Sequence, residues 1–240
     1  MRLRFLFLCA FALTLTSCNV ERDRGYEMGT SDTPLSPLTR EYMLASQRGF
    51  YYLSIAQSWR TVSERPRDGK IMHVETELQC PDQFHLRMTG TVDLERFIIG
   101  STKYERRNGG AWDVSDVGKG PIEFGRCQTL EEVRKRRPPD EAQIELYPGI
   151  DAAMIVSKGP VREYQGVKCQ EYTVSWDEEK ARKLVSHWEV GRTITNCYAV
   201  QGDPYMVAST YGGATNLTFD LNKPIHVVAP VVASQKPASH

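Results

Sequence analysis

The sequence predicts a mainly β fold of the α+β class in one domain: a leading helix, then antiparallel meanders of the kind that build a curved sheet or barrel. Three observations carry this. Residues 70–79 and 84–90 both alternate apolar and polar side chains, which is the period of a strand. Turn signals such as Asn108-Gly109-Gly110, Gln165-Gly166 and Gln201-Gly202-Asp203-Pro204 recur between further short runs. A chain of 240 residues is also ordinary for a single all-β core. No fixed-period internal repeat is present.

The chain opens with Arg2 and Arg4, followed by an apolar run from Phe5 to Leu15. A basic start, an apolar middle and small residues at the end make a secretory signal peptide. The run falls well short of the roughly 20 residues that a transmembrane helix needs. It ends in Leu15-Thr16-Ser17-Cys18, which resembles a bacterial lipobox. That resemblance implies a lipoprotein signal peptide over 1–17 and a lipid-modified Cys18 as the mature first residue. Such cysteines carry two or three acyl chains. Each buried methylene adds about 0.8 kcal/mol, and two chains suffice for stable anchoring. The first partner expected is therefore a membrane, through the lipid anchor. Asn19 rather than Asp follows Cys18. By resemblance to the sorting rules of diderm bacteria, that favours the outer membrane, facing the periplasm, over the inner one.

Residues 18–38 are polar and read as a flexible tether, which at full extension spans roughly 70 Å. Arg2 and Arg4 leave with the leader and no acid does, so 30 basic against 30 acidic residues becomes a formal charge of −2. No basic excess points to nucleic acid. Cys9 leaves with the leader and Cys18 is acylated, so Cys80, Cys127, Cys169 and Cys197 remain. An even number outside the cytoplasm suggests two disulfides, with three possible pairings. No C-x-x-C spacing argues for a metal, and no cofactor is expected.

Thr39 is read as the N-cap of a helix that runs through Tyr42, Met43, Leu53 and Ala56 to Val62 and stops at Arg65-Pro66 and Asp68-Gly69. The next two strands turn at Cys80-Pro81-Asp82. A register in which paired numbers sum to 162 sets Leu78 against Phe84, Thr76 against Leu86 and Val74 against Met88. It sets Glu77 against His85, Glu75 against Arg87 and His73 against Thr89 on the other face. A slip of one residue would mix the two faces. Val92–Ile99 and Thr102–Arg106 form a second pair, with Ala111–Val114 after the glycine turn.

Leu130–Arg137 is charged and helical in pattern, ended by Pro138-Pro139. Its cluster Arg134, Lys135, Arg136 and Arg137 reads as a solvated face, with anionic lipid headgroups as the alternative attraction. Ile144–Val156 reads as two short helices or a lid. Strands return at Val161–Tyr164 and Val167–Trp176, then a short helix or charged excursion over 177–188, then strands over Arg192–Val200 and Tyr205–Tyr211. A register summing to 366 opposes Cys169 and Cys197, and with them Tyr172 and Ile194, Thr173 and Thr193, and Trp176 and Val190. It predicts the disulfide Cys169–Cys197 and leaves Cys80–Cys127. Residues 216–228 read as a last pair of strands, and 230–240 as a disordered tail.

A lipobox, a polar tether, a leading helix and two meanders separated by a helical interruption resemble the LolA/LolB-type lipoprotein-carrier superfamily, which includes the LppX/LprG-like lipid carriers. The stretches Phe84-His85-Leu86-Arg87, Lys103-Tyr104 and Gly110-Ala111-Trp112 are similar to its early strands, and Asn222-Lys223-Pro224-Ile225 to its last. The resemblance implies an unclosed antiparallel half-barrel over residues 39–229, wrapped over helices, with an apolar cavity for lipid or acyl chains. Arg87 does not match the cavity arginine of that family, because the register puts it on the charged face.

The candidate cavity residues are Met72, Val74, Leu78, Phe84, Leu86 and Met88, with Trp112, Tyr172 and Trp176 from other strands. The competing reading is a sheet core packed solid by the leading helix. A third is a structural or sensory lipoprotein that binds another envelope protein, marked by a large exposed apolar patch. An enzyme is not expected. His73 and His85 are several pairs apart, His187-Trp188-Glu189, His226 and His240 stand alone, and no catalytic motif is present.

Overall fold

The computed structural model describes residues 35–118, 127, 131–132, 135, 137–140, 153–184 and 193–232. The leader, Cys18, the tether up to residue 34, Arg134, Arg136, residues 141–152, His187-Trp188-Glu189, Val190 and the tail beyond 232 lie outside them.

The leading helix α1 spans Pro37–Ile55. Its cap is Ser36, whose Oγ accepts from the Thr39 N–H at 3.0 Å, and Pro37 sits in the first turn where its missing N–H costs nothing. Thr39 is thus inside the helix rather than its cap. The helix also stops seven residues short of Val62. Ser58–Arg67 is strand β1, hairpinned to β2 (Lys70–Gln79). Asp68 and Gly69 both have positive φ, the geometry of a two-residue hairpin turn, so the dipeptide read as a helix stop is a strand turn. Trp59, Thr61 and Val62 are aromatic or β-branched and fit a pleated surface better than a helix.

Strands β3 (Gln83–Thr89), β4 (Leu94–Ile99), β5 (Thr102–Arg107) and β6 (Asp113–Asp116) complete the first meander. The β2–β3 register runs from His73 opposite Thr89 to Gln79 opposite Gln83, the sum of 162 read from the sequence. The second meander is β7 (Met154–Tyr164), β8 (Val167–Trp176), the short helix α2 (Glu178–Leu184), β9 (Ile194–Ala199), β10 (Met206–Tyr211) and β11 (Ala214–Phe219). Strand β7 begins at Met154, so the end of the stretch read as helices or a lid is sheet.

The eleven strands among the described residues form one open antiparallel sheet in the order β6-β5-β4-β3-β2-β1-β11-β10-β9-β8-β7. The first and last of the described strands meet in its middle. This is the mainly β half-barrel of the α+β class.

Helix α1 lies on the concave face over β7 to β10, where Tyr42 and Met43 pack with Tyr172, Val174 and Tyr198. Gly49 is what allows the approach: a Cβ there would stand 2.9 Å from the Tyr198 ring. The helix therefore covers one half of the sheet and leaves the other to different company.

Of the pair of strands read over 216–228, residues 216–219 belong to β11, and 220–232 are not a strand. They cross the ends of β1, β2 and β3 as a strap. The Asn222 N–H donates to the Ser58 carbonyl at 2.9 Å, the Ile225 N–H to Gln79 Oε1 at 3.0 Å and the Val227 N–H to Gln83 Oε1 at 3.4 Å. Strand β11 already has β1 and β10 on its two sides, so no sheet edge beside it is free for a further strand. Pro224 supplies no donor either. Ile225 and Val227 are buried by this crossing.

The disulfides are Cys80–Cys127 and Cys169–Cys197. The β8–β9 register, however, sets Cys169 opposite Ala199 and Glu171 opposite Cys197, a sum of 368 rather than 366. Tyr172 consequently faces Asn196, Thr173 faces Thr195 and Val174 faces Ile194. A shift of two preserves every side chain's face. The two cysteines are diagonal neighbours, with Cα atoms 5.3 Å apart, within disulfide reach.

Candidate functional site

Following the registers across the sheet resolves the concave face into rows. One row reads Lys158, Tyr172, Asn196, Ser209, Asn216, Ser63, Val74, Met88, Leu94 and Arg107, from β7 to β5. The next, toward the strap, reads Thr218, Thr61, Thr76, Leu86, Arg96 and Glu105. The one beside the strap reads Trp59, Leu78, Phe84, Ile98 and Lys103. The centre and the two ends of this face thus differ in chemistry.

An apolar floor occupies β2 to β4. Leu78, Phe84, Leu86, Leu94 and Ile98 are buried and form one cluster with Trp59 and Ala56, and Val74 and Met88 pack against it. Phe84 has no exposed surface at all. Cys127 packs on the same cluster, held there by its bond to Cys80, and Leu221 of the strap joins from the side. Six of the candidate cavity residues, Met72, Val74, Leu78, Phe84, Leu86 and Met88, share this face because they alternate along one hairpin.

Tyr172 and Trp176 are also on the concave face, but in the separate cluster beneath α1. The Tyr172 hydroxyl donates to Glu41 Oε1 at 2.7 Å, and Lys158 Nζ donates to the same oxygen at 2.6 Å. The hydrogen bonds from Lys158 and then Tyr172 hold Glu41 below its ordinary value. Burial, then the Glu41 carboxylate, push the Tyr172 phenol far up. This half is closed by α1, as the reading of a core packed by the leading helix would have it. Toward β2 and β3, Ala56 at the C-cap of the helix joins the apolar cluster.

Trp112 is a correction. Its ring lies 5.6 Å from Phe97, which stacks on His85 at 4.3 Å, and the Arg106 guanidinium sits 4.6 Å over the indole. His85 and Phe97 are on the convex face, opposite in direction to Phe84 and Ile98. Trp112 follows β5 in a connection, where strand alternation has no meaning, so its face could not be read from the pattern. The convex face around it is the charged one read from the sequence. His85 Nδ1 is 3.2 Å from Glu77 and Nε2 is 3.4 Å from Glu95, and Arg60 and Arg106 engage those same two carboxylates.

At the β4–β5 end of the concave face stands an ion pair. Arg96 Nη2 is 2.7 Å from Glu105, and both side chains are about one-seventh exposed, at 14% and 13%. Burial raises the Glu105 carboxyl, but the hydrogen bonds from Arg96 and Arg107 outweigh that and hold it low. Arg65, one row beyond Ser63 on β1, is half-buried, and burial lowers its value.

Sequence reasoning missed one feature of this face. Thr61, Ser63, Thr76, Asn216 and Thr218 form a polar island on β2, β1 and β11, between the apolar floor and the strip beneath α1. Ser63, Thr76 and Thr218 are buried. The signal was available only for Thr76, on the apolar face of the hairpin. The rest needed the β1–β11 pairing, between residues far apart in the chain.

The geometry defines a class, an open antiparallel half-barrel with a helix lying in half of its concavity. No family model matches the chain, and no curated protein does. Among solved structures, the chain is similar to the lipoprotein LppX of Mycobacterium tuberculosis at 13% identity, a TM-score of 0.45, and 78% of this chain and 99% of that one covered. It is similar to LprF of Mycobacterium bovis at 11% identity, a TM-score of 0.41, and 82% and 99% covered.

Proposed function

We propose that this chain is a membrane-anchored lipoprotein of the bacterial envelope whose concave face binds lipid or acyl chains over β2 to β4. The observation that carries the reading is the apolar floor of Phe84, Leu86, Leu78 and Met88, which α1 lies beside rather than on. Methionines at 72 and 88 suit an adaptable apolar surface. The anchor rests on the lipobox and Cys18, and the outer membrane on Asn19. Carriage of lipid or lipoprotein between membranes is the use this reading gives to such a floor on a tether.

A second reading, a partner-binding envelope protein without an enclosed ligand, draws on the convex face. Phe97, Tyr104, Trp112 and an exposed Val114 gather there near the end of the sheet.

The test is native mass spectrometry of the chain made without residues 1–17 and with Cys18→Ser. The expected result is added mass that solvent extraction removes and that Leu86→Trp reduces. Bare polypeptide from several hosts would abandon the carrier and leave the partner-binding reading.

A further inference from the structure

We propose that the polar island of Thr61, Thr76, Thr218 and Asn216 recognises the neutral head of the ligand, so that the bound class is an uncharged amphiphile with ester or hydroxyl oxygens rather than an anionic one. This rests on the reading of the concave face as a lipid site.

Three threonines stand in one cross-strand row, Thr76, Thr61 and Thr218, with Asn216 and Ser63 in the row beside it. Valine would serve a strand equally well by shape, so three hydroxyls in one cross-strand row mark a polar strip on an otherwise apolar face. The Ser63 Oγ is satisfied, at 2.6 Å from Asn216 Oδ1. That contact uses the Asn216 carbonyl oxygen, and the amide also carries two Nδ2 donors. The three threonine hydroxyls make no hydrogen bond to another side chain among the described residues.

The island is continuous with the apolar floor. Thr76 is directly opposite Leu86, and Ser63 is directly opposite Val74, which faces Met88. A chain lying on Leu86 and Met88 would therefore bring its head onto these hydroxyls. Hydroxyls both donate and accept, and an amide N–H donates, so ester carbonyls and hydroxyls fit them.

No lysine or carboxylate shares these two rows on β2, β1 and β11. Arg65, one row away, is already engaged in an interaction of its own. The charged pair Arg96 and Glu105 is separated from Thr76 by Leu86 and is mutually neutralised.

The experiment uses the chain carrying Cys18→Ser, loaded with the uncharged fluorescent probe N-phenyl-1-naphthylamine, and displaces it with three lipids of the same oleoyl chain. These are monoolein, oleate and lysophosphatidate. Monoolein is expected to displace the probe at concentrations about tenfold lower than either anion, and Thr61→Val with Thr218→Val should remove most of that preference, a net effect of the size of about one hydrogen bond. Because valine suits a strand, the variants should keep the wild-type circular dichroism. Asn216→Leu is a second, separate variant with the same expected direction. Equal or tighter binding of the anions, or a preference untouched by the substitutions, overturns the inference and leaves the lipid reading standing. Failure of the probe and all three lipids to bind overturns both.

Discussion

Glu41 is the residue through which acid should act on this fold. It joins α1 to β7 and β8 by accepting from Lys158 and Tyr172, and those two contacts hold its carboxyl below the ordinary value of 4.5. A carboxyl held low in the folded state binds fewer protons there than in the unfolded chain. Its contribution is fully present above the unfolded value and is lost as pH falls through the folded one. Glu41 is nearly half exposed, so water screens the contribution, and the effect should be small. Urea midpoints should place Glu41→Gln below the wild type at pH 7, with the gap closing as pH drops below the ordinary value of 4.5. A gap constant with pH would show that Glu41 acts through packing alone. The same scale shows what pattern could reveal. Phe84 and Leu86 declared their face because they alternate inside a hairpin whose register is marked by charge pairs on the other side. Trp112 did not, because it stands in a connection.

Elements differ in how much their own residues specify. The β2–β3 hairpin was legible because its partner lies three residues away and both faces are consistent. Strand β1 was not, because Leu53, Ala56 and Trp59 also fit a helical spacing, and its pairing with β2 and β11 decides the matter. The β8–β9 register was misread by two because apolar and polar matching cannot separate registers that keep every face. The strap over 220–232 is held by side chains of Gln79 and Gln83, a use that strand patterns do not announce. Ending the chain after Asn222 should expose the surfaces that Ile225 and Val227 cover and destabilise the fold by roughly 2–4 kcal/mol. Replacing both Cys80 and Cys127 by serine should cost about 4 kcal/mol, since that bond closes a loop of 47 residues in the unfolded chain. Denaturant midpoints measure both. A strap deletion without loss would mean that the end of the floor is closed by other residues.

At the scale of the molecule, the sheet is two sequential meanders, β1 to β6 and β7 to β11, and among the described strands they join at one seam, β1 against β11. Every other pairing links neighbours in the chain, while Arg60 opposite Phe219 spans most of the domain. Such a contact carries the largest loop-closure cost and should form late in folding. Once formed it lies at the centre of the sheet, paired on both sides, while β6 and β7 stand at the ends of the strand order. The polar island sits on this seam, so head recognition would depend on the two halves being joined and chain binding on the first alone. Val62 is opposite Glu75 on one side and Leu217 on the other. Proline there disrupts a central strand and should cost about 3 kcal/mol or more. Native-state hydrogen exchange gives the finer test. The β1 and β11 amides should exchange only through global unfolding, while those of β6 should exchange through smaller openings. If β1 and β11 exchange as readily as β6, the halves separate within the folded protein, and the seam is a hinge rather than the last bond of one cooperative sheet.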